Sequence, residues 1–249
     1  MRRKLVAANW KMNGDTALVS GLLSGFLEAE LGAKCDVAIF APTIFLPQVA
    51  ATLKESKIRW GGQNSAAYLK GAYTGETSSV MLKECGCQYV LVGHSERRAL
   101  FGDTNEICGV KTELALSEGL IPVVCVGETL EQREANQTMD IVREQLRAVI
   151  DQVGIDALAS CVIAYEPVWA IGTGVTASPD QAQAVHADIR AYVAEQRASV
   201  AEKIQILYGG SVTAGTAQEL FGMPDVDGGL VGGASLKLSE FVTICHSAE

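Results

Sequence analysis

The fold assignment rests first on residues 161–174, which read CVIAYEPVWAIGTG. The segment opens as an apolar run and places one carboxylate, Glu166, at the end of that run. Pro167 follows directly, and proline lacks a backbone N–H and restricts the preceding residue to extended geometry. The sequence therefore predicts a buried strand with an acidic residue at its carboxyl end.

Bulky apolar residues continue beyond the predicted strand, in a segment closed by Gly172 and Gly174. Trp169 and Ile171 are unusual residues for a loop unless they cover something and exclude water. A carboxylate beside a hinged apolar flap suits a general base that works in a dry site. A surface loop with a solvated glutamate and a Trp packed on the core is the alternative interpretation.

Eight short apolar runs of this kind recur along the chain. They are Leu5–Asn9, Asp36–Phe40, Ile58–Gly62, Tyr89–Val92, Ile121–Val126, Cys161–Tyr165, Ile204–Tyr208 and Asp227–Val231. Most are continuous rather than alternating, which is typical of parallel strands buried on both faces. Helical patterns fill most of the gaps, without a linker. We therefore predict one α/β domain, residues 1–249, folded as a closed (β/α)8 barrel with eight parallel strands and outer helices. An open doubly wound sheet is the alternative, weakened because no Gly-x-Gly-x-x-Gly follows the first run.

Helical spacing predicts the buried faces of several intervening helices. The predicted positions are Leu18, Leu22 and Phe26, then Ile107, Val110 and Leu114, then Ile141, Val142, Gln145, Leu146 and Val149, and finally Val185, Ile189 and Tyr192. Asp103 with Glu106 resembles a capping box at the start of the second of these helices, and Gly119 resembles its stop. The tetrapeptide Ser178–Gln181 predicts the start of the last one, because Ser caps and Pro fits the first turn.

Composition limits what the chain binds. It has 249 residues and a net charge of −9, which argues against nucleic acid and anionic membranes as partners. Its seven cysteines are scattered, and the closest pair, Cys85-Gly-Cys87, lacks the spacing of a zinc or thioredoxin motif. We predict reduced thiols and no metal site. The basic start, Met1–Lys4, precedes an apolar run too short for a signal peptide, so we predict a cytoplasmic protein.

Polar residues and glycines gather directly after five of the predicted strands. They are Asn9-Trp10-Lys11, His94-Ser95-Glu96-Arg97-Arg98, Glu166, Gly209-Gly210-Ser211 and Gly232-Gly233-Ala234-Ser235. In a (β/α)8 barrel these positions meet at one end, where such folds place their chemistry. The sequence therefore predicts a site that combines a base, an imidazole, an ammonium group and an amide beside two glycine turns.

Neighbouring residues indicate how each group would act. Ser95 follows His94 as the apparent first turn of a helix, and a helix amino end disfavours a positive imidazole, so His94 is predicted to be a neutral hydrogen-bond donor. Residues 96–98 are interpreted as an ion-pair cluster that fixes the loop. Lys11 is interpreted as an electrostatic clamp, with a solvated lysine as the alternative. Asn9 either contacts substrate or ties loops together.

The two glycine turns predict a phosphate site. Glycine lets the backbone approach a ligand, and a following helical turn points several N–H groups at it. Barrels often bind phosphate with the loops after strands seven and eight. Neither a Walker lysine nor an acidic metal cluster accompanies these turns. We therefore expect a monophosphate held by backbone amides, without Mg²⁺.

Five motifs, in this order along the whole chain, resemble the triosephosphate isomerase family of bacterial type. They are Asn9–Asn13 (NWKMN), Val92–Arg98 (VGHSERR), Ala164–Gly174 (AYEPVWAIGTG), Tyr208–Val212 (YGGSV) and Val231–Leu236 (VGGASL). The resemblance implies a TIM barrel and an enzyme that interconverts dihydroxyacetone phosphate and D-glyceraldehyde 3-phosphate. It places the enzyme in glycolysis and gluconeogenesis and implies that no cofactor is used.

The resemblance also implies a role for each site residue. Glu166 would move the proton between the two substrate carbons, and a neutral His94 would polarise the carbonyl. This pairing of a carboxylate base with a neutral histidine is characteristic of the family. Lys11 would stabilise the enediolate, with Asn9 beside it. The implied phosphate ligands are backbone N–H groups of Gly172, Ser211, Gly232 and Gly233. Closure of the flap Pro167–Gly174 would exclude water.

Members of the family are usually homodimers, so the resemblance implies a second copy of the chain as partner. The loop Gln63–Ser79 would insert beside the partner's active site, with Thr74 approaching the partner's Lys11. The segment Ser65–Lys70 within this loop is less typical of the family.

Gly229 lies in the predicted eighth strand, where the family pattern leads us to expect Ala. Gly costs about 0.5–1 kcal/mol relative to Ala within a regular element. We expect Gly229 to remove a methyl group from the barrel interior and to loosen the strand.

Two other functions are compatible with such a barrel. An aldolase-type lyase would use Lys11 as a Schiff base, although an imine-forming lysine is expected deeper, at a later strand. Borohydride trapping with dihydroxyacetone phosphate would distinguish it. A barrel that only binds sugar phosphates as a sensor is the second alternative, and the complete set of Glu166, His94 and Lys11 argues against it.

Overall fold

The computed structural model describes residues 2–171 and 177–249. Within these ranges eight parallel strands follow one another in chain order and close into a barrel, with the first strand paired to the last. The strands are β1 (Leu5–Asn9), β2 (Asp36–Ala41), β3 (Arg59–Gly62), β4 (Tyr89–Val92), β5 (Ile121–Val126), β6 (Val162–Tyr165), β7 (Gln205–Tyr208) and β8 (Gly228–Val231). The predicted (β/α)8 barrel is confirmed, and every predicted strand lies within about one residue of its observed bounds.

Helices connect the strands on the outside of the barrel. They are α1 (Thr16–Glu28), α2 (Leu46–Leu53), α3 (Ser79–Glu84), α4 (Ser95–Leu100), α5 (Asn105–Ser117), α6 (Leu130–Glu134), α7 (Thr138–Val153), α8 (Pro179–Ala201), α9 (Ala217–Phe221) and α10 (Leu238–His246). Short 3-10 turns cover Thr43–Phe45, Ala157–Ser160, Val168–Ala170 and Gly233–Leu236. No helix in the described part of the chain combines the length and apolar composition needed to cross a bilayer.

The core has two layers, because side chains alternate between the two faces of each strand. Alternate strand residues fill the barrel interior, among them Leu5, Ala7, Phe40, Leu91, Val123, Cys125, Ala164, Leu207 and Leu230. The residues between them point outward and pack against the helices, as Val6, Ala8 and Val231 do. The barrel is therefore filled, and ligands can reach it only at its ends.

Gly229 faces the outer helices, so the expectation that it leaves a gap inside the barrel is wrong. A Cβ atom added there would lie 3.1 Å from ring atoms of Phe221 on α9. Phe221 belongs to the outer core layer, whereas the next strand residue, Leu230, fills the interior. The missing methyl group of Gly229 therefore makes room for the Phe221 ring.

The helix prediction is confirmed for α8 and, except for Ile141, which is only half-buried, for α7. The buried residues of α7 include Val142, Gln145, Leu146 and Val149, and those of α8 include Val185, Ile189 and Tyr192. A capping box formed by Ser178 and Gln181 opens α8, as predicted. In α1, Leu22 and Phe26 are buried, but Leu18 is exposed.

The prediction for α5 is wrong at its start and on its buried face. Thr104, rather than Asp103, caps the helix by accepting a hydrogen bond from the N–H of Ile107. Asp103 is buried and accepts from the ammonium of Lys111, with both oxygens 2.9 Å from Nζ. The buried residues of α5 are Cys108, Gly109, Lys111, Thr112 and Ala115. Apolar spacing could not identify this face, because a buried ion pair occupies part of it.

His186 on α8 is fully buried beside two barrel tyrosines. Its ring centroid lies 5.9 Å from that of Tyr165 and 6.3 Å from that of Tyr208. Nδ1 lies 3.2 Å from the carbonyl oxygen of Asp225, so Nδ1 carries the proton and donates. Burial lowers the pKa of His186 to about 4. The fold therefore holds this imidazole neutral.

We expect His186 to make the protein sensitive to acid between about pH 6.5 and about pH 4. In this window the unfolded chain binds a proton at His186 and the folded chain does not. The free energy of unfolding therefore decreases, by up to about 3 kcal/mol, as the pH is lowered from about 6.5 to about 4. Urea unfolding at several pH values and one protein concentration measures this. His186→Gln should show a shallower pH dependence, whereas His246→Gln, at an exposed position of α10, should match the wild type. Equal pH dependence in His186→Gln and wild type would contradict the assignment.

Candidate active site

A cavity of about 470 Å³ opens at the carboxyl end of the barrel. The predicted site residues that line it are Asn9, Lys11, His94, Glu166, Gly209, Gly210, Ser211, Gly232 and Gly233. Ile171 and Leu230 add apolar surface to the same cavity. Gly172 and the flap from residue 172 onward lie outside the described residues. The barrel thus brings together every predicted site residue that the structure describes.

Glu166 lies directly after β6 and is buried, with 2% of its surface exposed. Its Oε1 lies 2.9 Å from Nε2 of His94, and its Oε2 accepts a 2.8 Å hydrogen bond from the backbone N–H of Ser95. The backbone N–H of Glu166 donates to the carbonyl of Val126 at 2.7 Å, which continues the pairing of β6 with β5. Both carboxylate oxygens are therefore engaged on the α4 side of the cavity.

His94 caps the amino end of α4 with its ring. Nδ1 accepts a 3.2 Å hydrogen bond from the backbone N–H of Glu96. A neutral ring that accepts at Nδ1 carries its proton on Nε2, so Nε2–H donates to Glu166. Burial lowers the pKa of His94, but the nearby Glu166 carboxylate raises it, and the net pKa is raised. The charge state of His94 therefore depends on the position of Glu166.

Lys11 has a left-handed backbone, with φ of 51°. This conformation costs a non-glycine residue on the order of 1–2 kcal/mol. Contacts on both sides hold it: the N–H of Lys11 donates to Oδ1 of Asn9 at 3.0 Å, and its carbonyl accepts from Nε2 of Gln63 at 2.8 Å. Its ammonium lies 2.5 Å from Oε1 of Glu96. The strained backbone and the ion pair together fix the Lys11 ammonium at the cavity wall.

The interpretation of residues 96–98 as charged residues that fix the loop is confirmed for Glu96 and Arg97, which form ion pairs, whereas Arg98 forms hydrogen bonds instead. Glu96 pairs with Lys11, and Arg97 pairs with Asp103, at 3.1 Å between Nε and Oδ2. Arg98 donates to the carbonyl oxygens of Gly93 and Cys125 and to Oδ1 of Asn105. Each charged residue therefore contacts a different neighbouring segment, because side chains on a short helix diverge.

The second glycine turn has the form that anion sites use. Gly232 precedes the 3-10 turn Gly233–Leu236, and its carbonyl accepts from the N–H and the hydroxyl of Ser235 at 2.8 and 2.6 Å. The first N–H groups of a helical turn have no acceptor within the turn. A Cβ atom at Gly232 would lie 3.4 Å from Cε of Lys11, so the lysine chain packs against the turn. An anion bound here would lie beside an ammonium group.

Gly209 leaves the space that Glu166 occupies. A Cβ atom there would lie 2.8 Å from Cγ of Glu166 and 3.0 Å from the carbonyl oxygen of Tyr165. We expect Gly209→Ala to lower turnover about tenfold or more, because Glu166 must shift and misplacement near 1 Å costs about 10²-fold. Gly215→Ala is the matched control, since its nearest neighbour atom is 3.9 Å away. Steady-state kinetics measure the change. An unchanged kcat in Gly209→Ala would show that a methyl group at residue 209 does not displace the Glu166 side chain.

Sequence reasoning missed two groups that support the site. Glu128 is fully buried after β5, and its Oε1 accepts from the hydroxyl of Tyr165 (3.1 Å), Nε1 of Trp169 (3.0 Å) and Nη1 of Arg133 (3.2 Å). It therefore ties the beginning of the flap to the barrel. The amide of Gln63, after β3, holds Lys11 as described above. Both follow strands, so the rule that found the other site residues would have found them.

Fold and cavity together define a class of protein: a (β/α)8-barrel enzyme for acid–base chemistry on a small anion. The family model described as triosephosphate isomerase matches residues 4–248. The chain is 53% identical to the triosephosphate isomerase of Pseudomonas aeruginosa (strain LESB58) over 249 residues, which cover 100% of this chain and 99% of the other. It is 53% identical to that of Herminiimonas arsenicoxydans over 249 residues and 54% identical to that of Psychromonas ingrahamii over 250 residues, each alignment covering 100% of both chains.

The chain belongs to the triosephosphate isomerase family. It is an isomerase of glycolysis that interconverts dihydroxyacetone phosphate and D-glyceraldehyde 3-phosphate. The resemblance drawn from the five motifs is confirmed. The lyase and the sensor, which the sequence left as alternatives, do not agree with this membership.

Proposed function

We propose that Glu166, His94, Lys11 and Asn9 carry out this isomerisation through an enediolate. The observation that supports the proposal best is the buried Glu166 carboxylate, 2.9 Å from Nε2 of His94, in a cavity that Lys11 also lines. Glu166 takes the proton from the substrate carbon next to the carbonyl and returns it to the neighbouring carbon. Pairing a carboxylate base with a neutral histidine is the family's own solution, so this assignment follows the family.

Substrate has to displace the Glu166 carboxylate from His94. The freed Nε2–H then donates to the carbonyl oxygen of the substrate and later shuttles the hydroxyl protons. The charge of Glu166 raises the pKa of His94, and this effect weakens as the carboxylate moves away. Burial, which lowers the same pKa, then has the larger share, so the pKa of His94 falls. The backbone N–H of Glu96 remains bound to Nδ1. His94 therefore acts as a neutral donor when the carbonyl arrives.

Lys11 stabilises the negative charge of the enediolate, and Asn9 holds the Lys11 backbone beside it. The proposed phosphate ligands are the backbone N–H groups of Gly172, Ser211, Gly232 and Gly233. Closure of the flap Pro167–Gly174 excludes water from Glu166. The proposed steps use neither a cofactor nor a metal ion.

A crystal structure with an enediolate mimic bound tests these assignments. We expect the Glu166 carboxylate at about 3 Å from the carbon atoms of the mimic, at the distance that proton transfer requires. The phosphate should lie on the turns at Ser211 and at Gly232–Gly233. A phosphate bound elsewhere, or a Glu166 carboxylate far from the carbons, would overturn the assignment.

We also propose a homodimer formed through the loop Gln63–Ser79. The segments that follow β1, β2 and β4 expose large apolar side chains near the barrel mouth. Met12 is 95% exposed and Ile44 is 80% exposed, and Leu100 and Phe101 are largely exposed as well. Such apolar exposure is typical of surfaces that a second protein covers.

A second cavity, of about 440 Å³, lies in this same region. It is lined by Met12, Gln63 and Phe101, and it shares Lys11 and His94 with the substrate cavity. A projecting loop and a receiving cavity on one face suit a two-fold dimer, because each copy can insert its loop into the other. A loop inserted there would contact the residues that hold Lys11 in place.

Thr74, near the tip of the loop, offers a test by charge. In Thr74→Arg a guanidinium would approach the partner's Lys11, and a like-charge contact costs several kcal/mol, so we expect the dimer dissociation constant to rise about 10²-fold or more. Sedimentation velocity over a concentration series measures this. Thr52→Arg, at an exposed position of α2, is the matched control. A wild-type chain that sediments as a monomer at every concentration would overturn the homodimer.

We further propose that residues 1–249 form a single domain that works in the cytoplasm. One closed barrel with continuous core layers supports the first point. A role in glycolysis supports the second.

A further inference from the structure

The loop Gln63–Ser79 carries an aromatic stack outside the core. The rings of Tyr68 and Tyr73 lie with centroids 3.9 Å apart and planes inclined by only 9°. Both side chains remain partly exposed, at 52% and 41%. The two tyrosines stand on opposite sides of the loop tip, so their contact joins its ascending and descending halves.

The surroundings of the stack show how much of the loop depends on it. At the base, the N–H of Ala66 donates to the carbonyl of Thr77 at 2.8 Å. Above this base, residues 68–76 are all exposed, so the tip gains nothing from the core. Gly71, with φ of 140°, lies beneath the Tyr73 ring, and a Cβ atom there would lie 2.9 Å from it. Two backbone hydrogen bonds close turns within the tip, from the N–H of Tyr73 to the carbonyl of Gly71 and from the N–H of Glu76 to the carbonyl of Tyr73, each at 3.0 Å. The stacked rings add the side-chain contact that joins these turns to Tyr68.

We propose that the Tyr68–Tyr73 stack pre-forms this tip for docking into a second copy of the chain and thereby sets the strength of the dimer. The inference rests on the homodimer proposed above. An exposed segment that is free in solution loses conformational freedom when it docks, and this loss weakens association. A tip already fixed by its own side chains loses less. Tyr68 lies in Ser65–Lys70, the part of the loop that is least typical of the family, and this segment would therefore contribute to pre-forming the tip.

The shape and chemistry of the tip agree with the cavity it would enter. Thr74, a short uncharged residue, follows Tyr73 and precedes Gly75, around which a Cβ atom would meet open space. The receiving cavity combines polar groups, including Asn64 and Glu96, with apolar side chains. A tip that ends in a short polar residue between aromatic and glycine neighbours is compatible with a lining of this mixed character.

Tyr68→Ala tests the proposal, since it removes the stack without touching the catalytic residues. Loss of a stacked aromatic pair weakens each loop severalfold, and a two-fold dimer uses the loop twice. We therefore expect the dimer dissociation constant to rise about 10- to 100-fold. Tyr68→Phe, which keeps the ring, should stay within about threefold of the wild type. Leu27→Ala, on the exposed side of α1, is the control for loss of a surface apolar group.

Sedimentation equilibrium gives the dissociation constants, and specific activity as a function of enzyme concentration gives a second measure. In Tyr68→Ala the activity should fall on dilution at higher enzyme concentrations than in the wild type, and should return to the wild-type value once dimers form. Tyr68→Leu, which restores an apolar side chain without a ring, should behave like Tyr68→Ala.

The outcomes separate the two proposals. A wild-type dimer together with a Tyr68→Ala dimer of equal strength would overturn the role of the stack and leave the homodimer intact. A wild-type monomer at every concentration would overturn both. Low activity in Tyr68→Ala that persists when the protein is fully dimeric would also overturn the proposal, because the stack would then act on something other than assembly.

Discussion

Glu166→Asp is expected to lower turnover about 10²-fold or more, with little change in KM. Aspartate draws the carboxylate back by one methylene, and a displacement near 1 Å has an effect of that size on proton transfer. The backbone at residue 166 cannot shift to compensate, because the N–H of Glu166 is bound to the carbonyl of Val126 at 2.7 Å and the following Pro167 restricts the backbone dihedral angles of Glu166. Steady-state kinetics in both directions measure the change.

Glu219→Asp is the matched control for this substitution, because Glu219 lies exposed on α9, away from the cavity. It should retain turnover within about twofold of the wild type. If Glu166→Asp also stays within that range, Glu166 is not the base. Circular dichroism and thermal unfolding should show that both variants fold.

His94→Gln is expected to reduce turnover by about 10²- to 10³-fold, the effect of removing a donor aimed at developing negative charge. Glutamine approaches the size of histidine and has an amide N–H, but it cannot relay a proton as the ring can. Its amide can still accept from the N–H of Glu96 and donate to Glu166, the two contacts that the ring makes at 3.2 and 2.9 Å, so the loss is expected in the proton relay.

The control for this prediction is His246→Gln, an exposed histidine on α10, which should leave kcat and KM unchanged. A His94→Gln variant whose defect is confined to KM would count against the electrophilic role. Such a result would mean that His94 binds substrate and transition state equally well.

The barrel could be predicted from sequence because its strands are buried on both faces. Continuous apolar runs mark such strands, and helical patterns between them require parallel pairing. The same reasoning failed where burial does not depend on apolar side chains. Lys111 on α5 is buried by its ion pair with Asp103, and Gly229 faces Phe221 rather than the interior. Neither fact can be seen without knowing which element packs against which.

The site residues could be named from sequence, but their contacts could not. The hydrogen bond from Ser95 to Glu166 joins residues 71 positions apart. The partner of Glu96 proved to be Lys11, not an adjacent arginine. The left-handed backbone conformation of Lys11 also could not be predicted from the residues around it. Contacts of this kind arise only when the barrel closes and brings the ends of distant strands together.

The sharing of Lys11 and His94 by two adjoining cavities has a practical consequence for inhibitor design. A compound lodged in the cavity beside Phe101 would compete with the partner's loop for that cavity, and it would reach these groups from the side away from the phosphate turns. It would need no phosphate mimic, and hence no double negative charge to hinder entry into cells. Discrimination between related isomerases would then be sought among the loop residues near that cavity, rather than among the catalytic groups themselves.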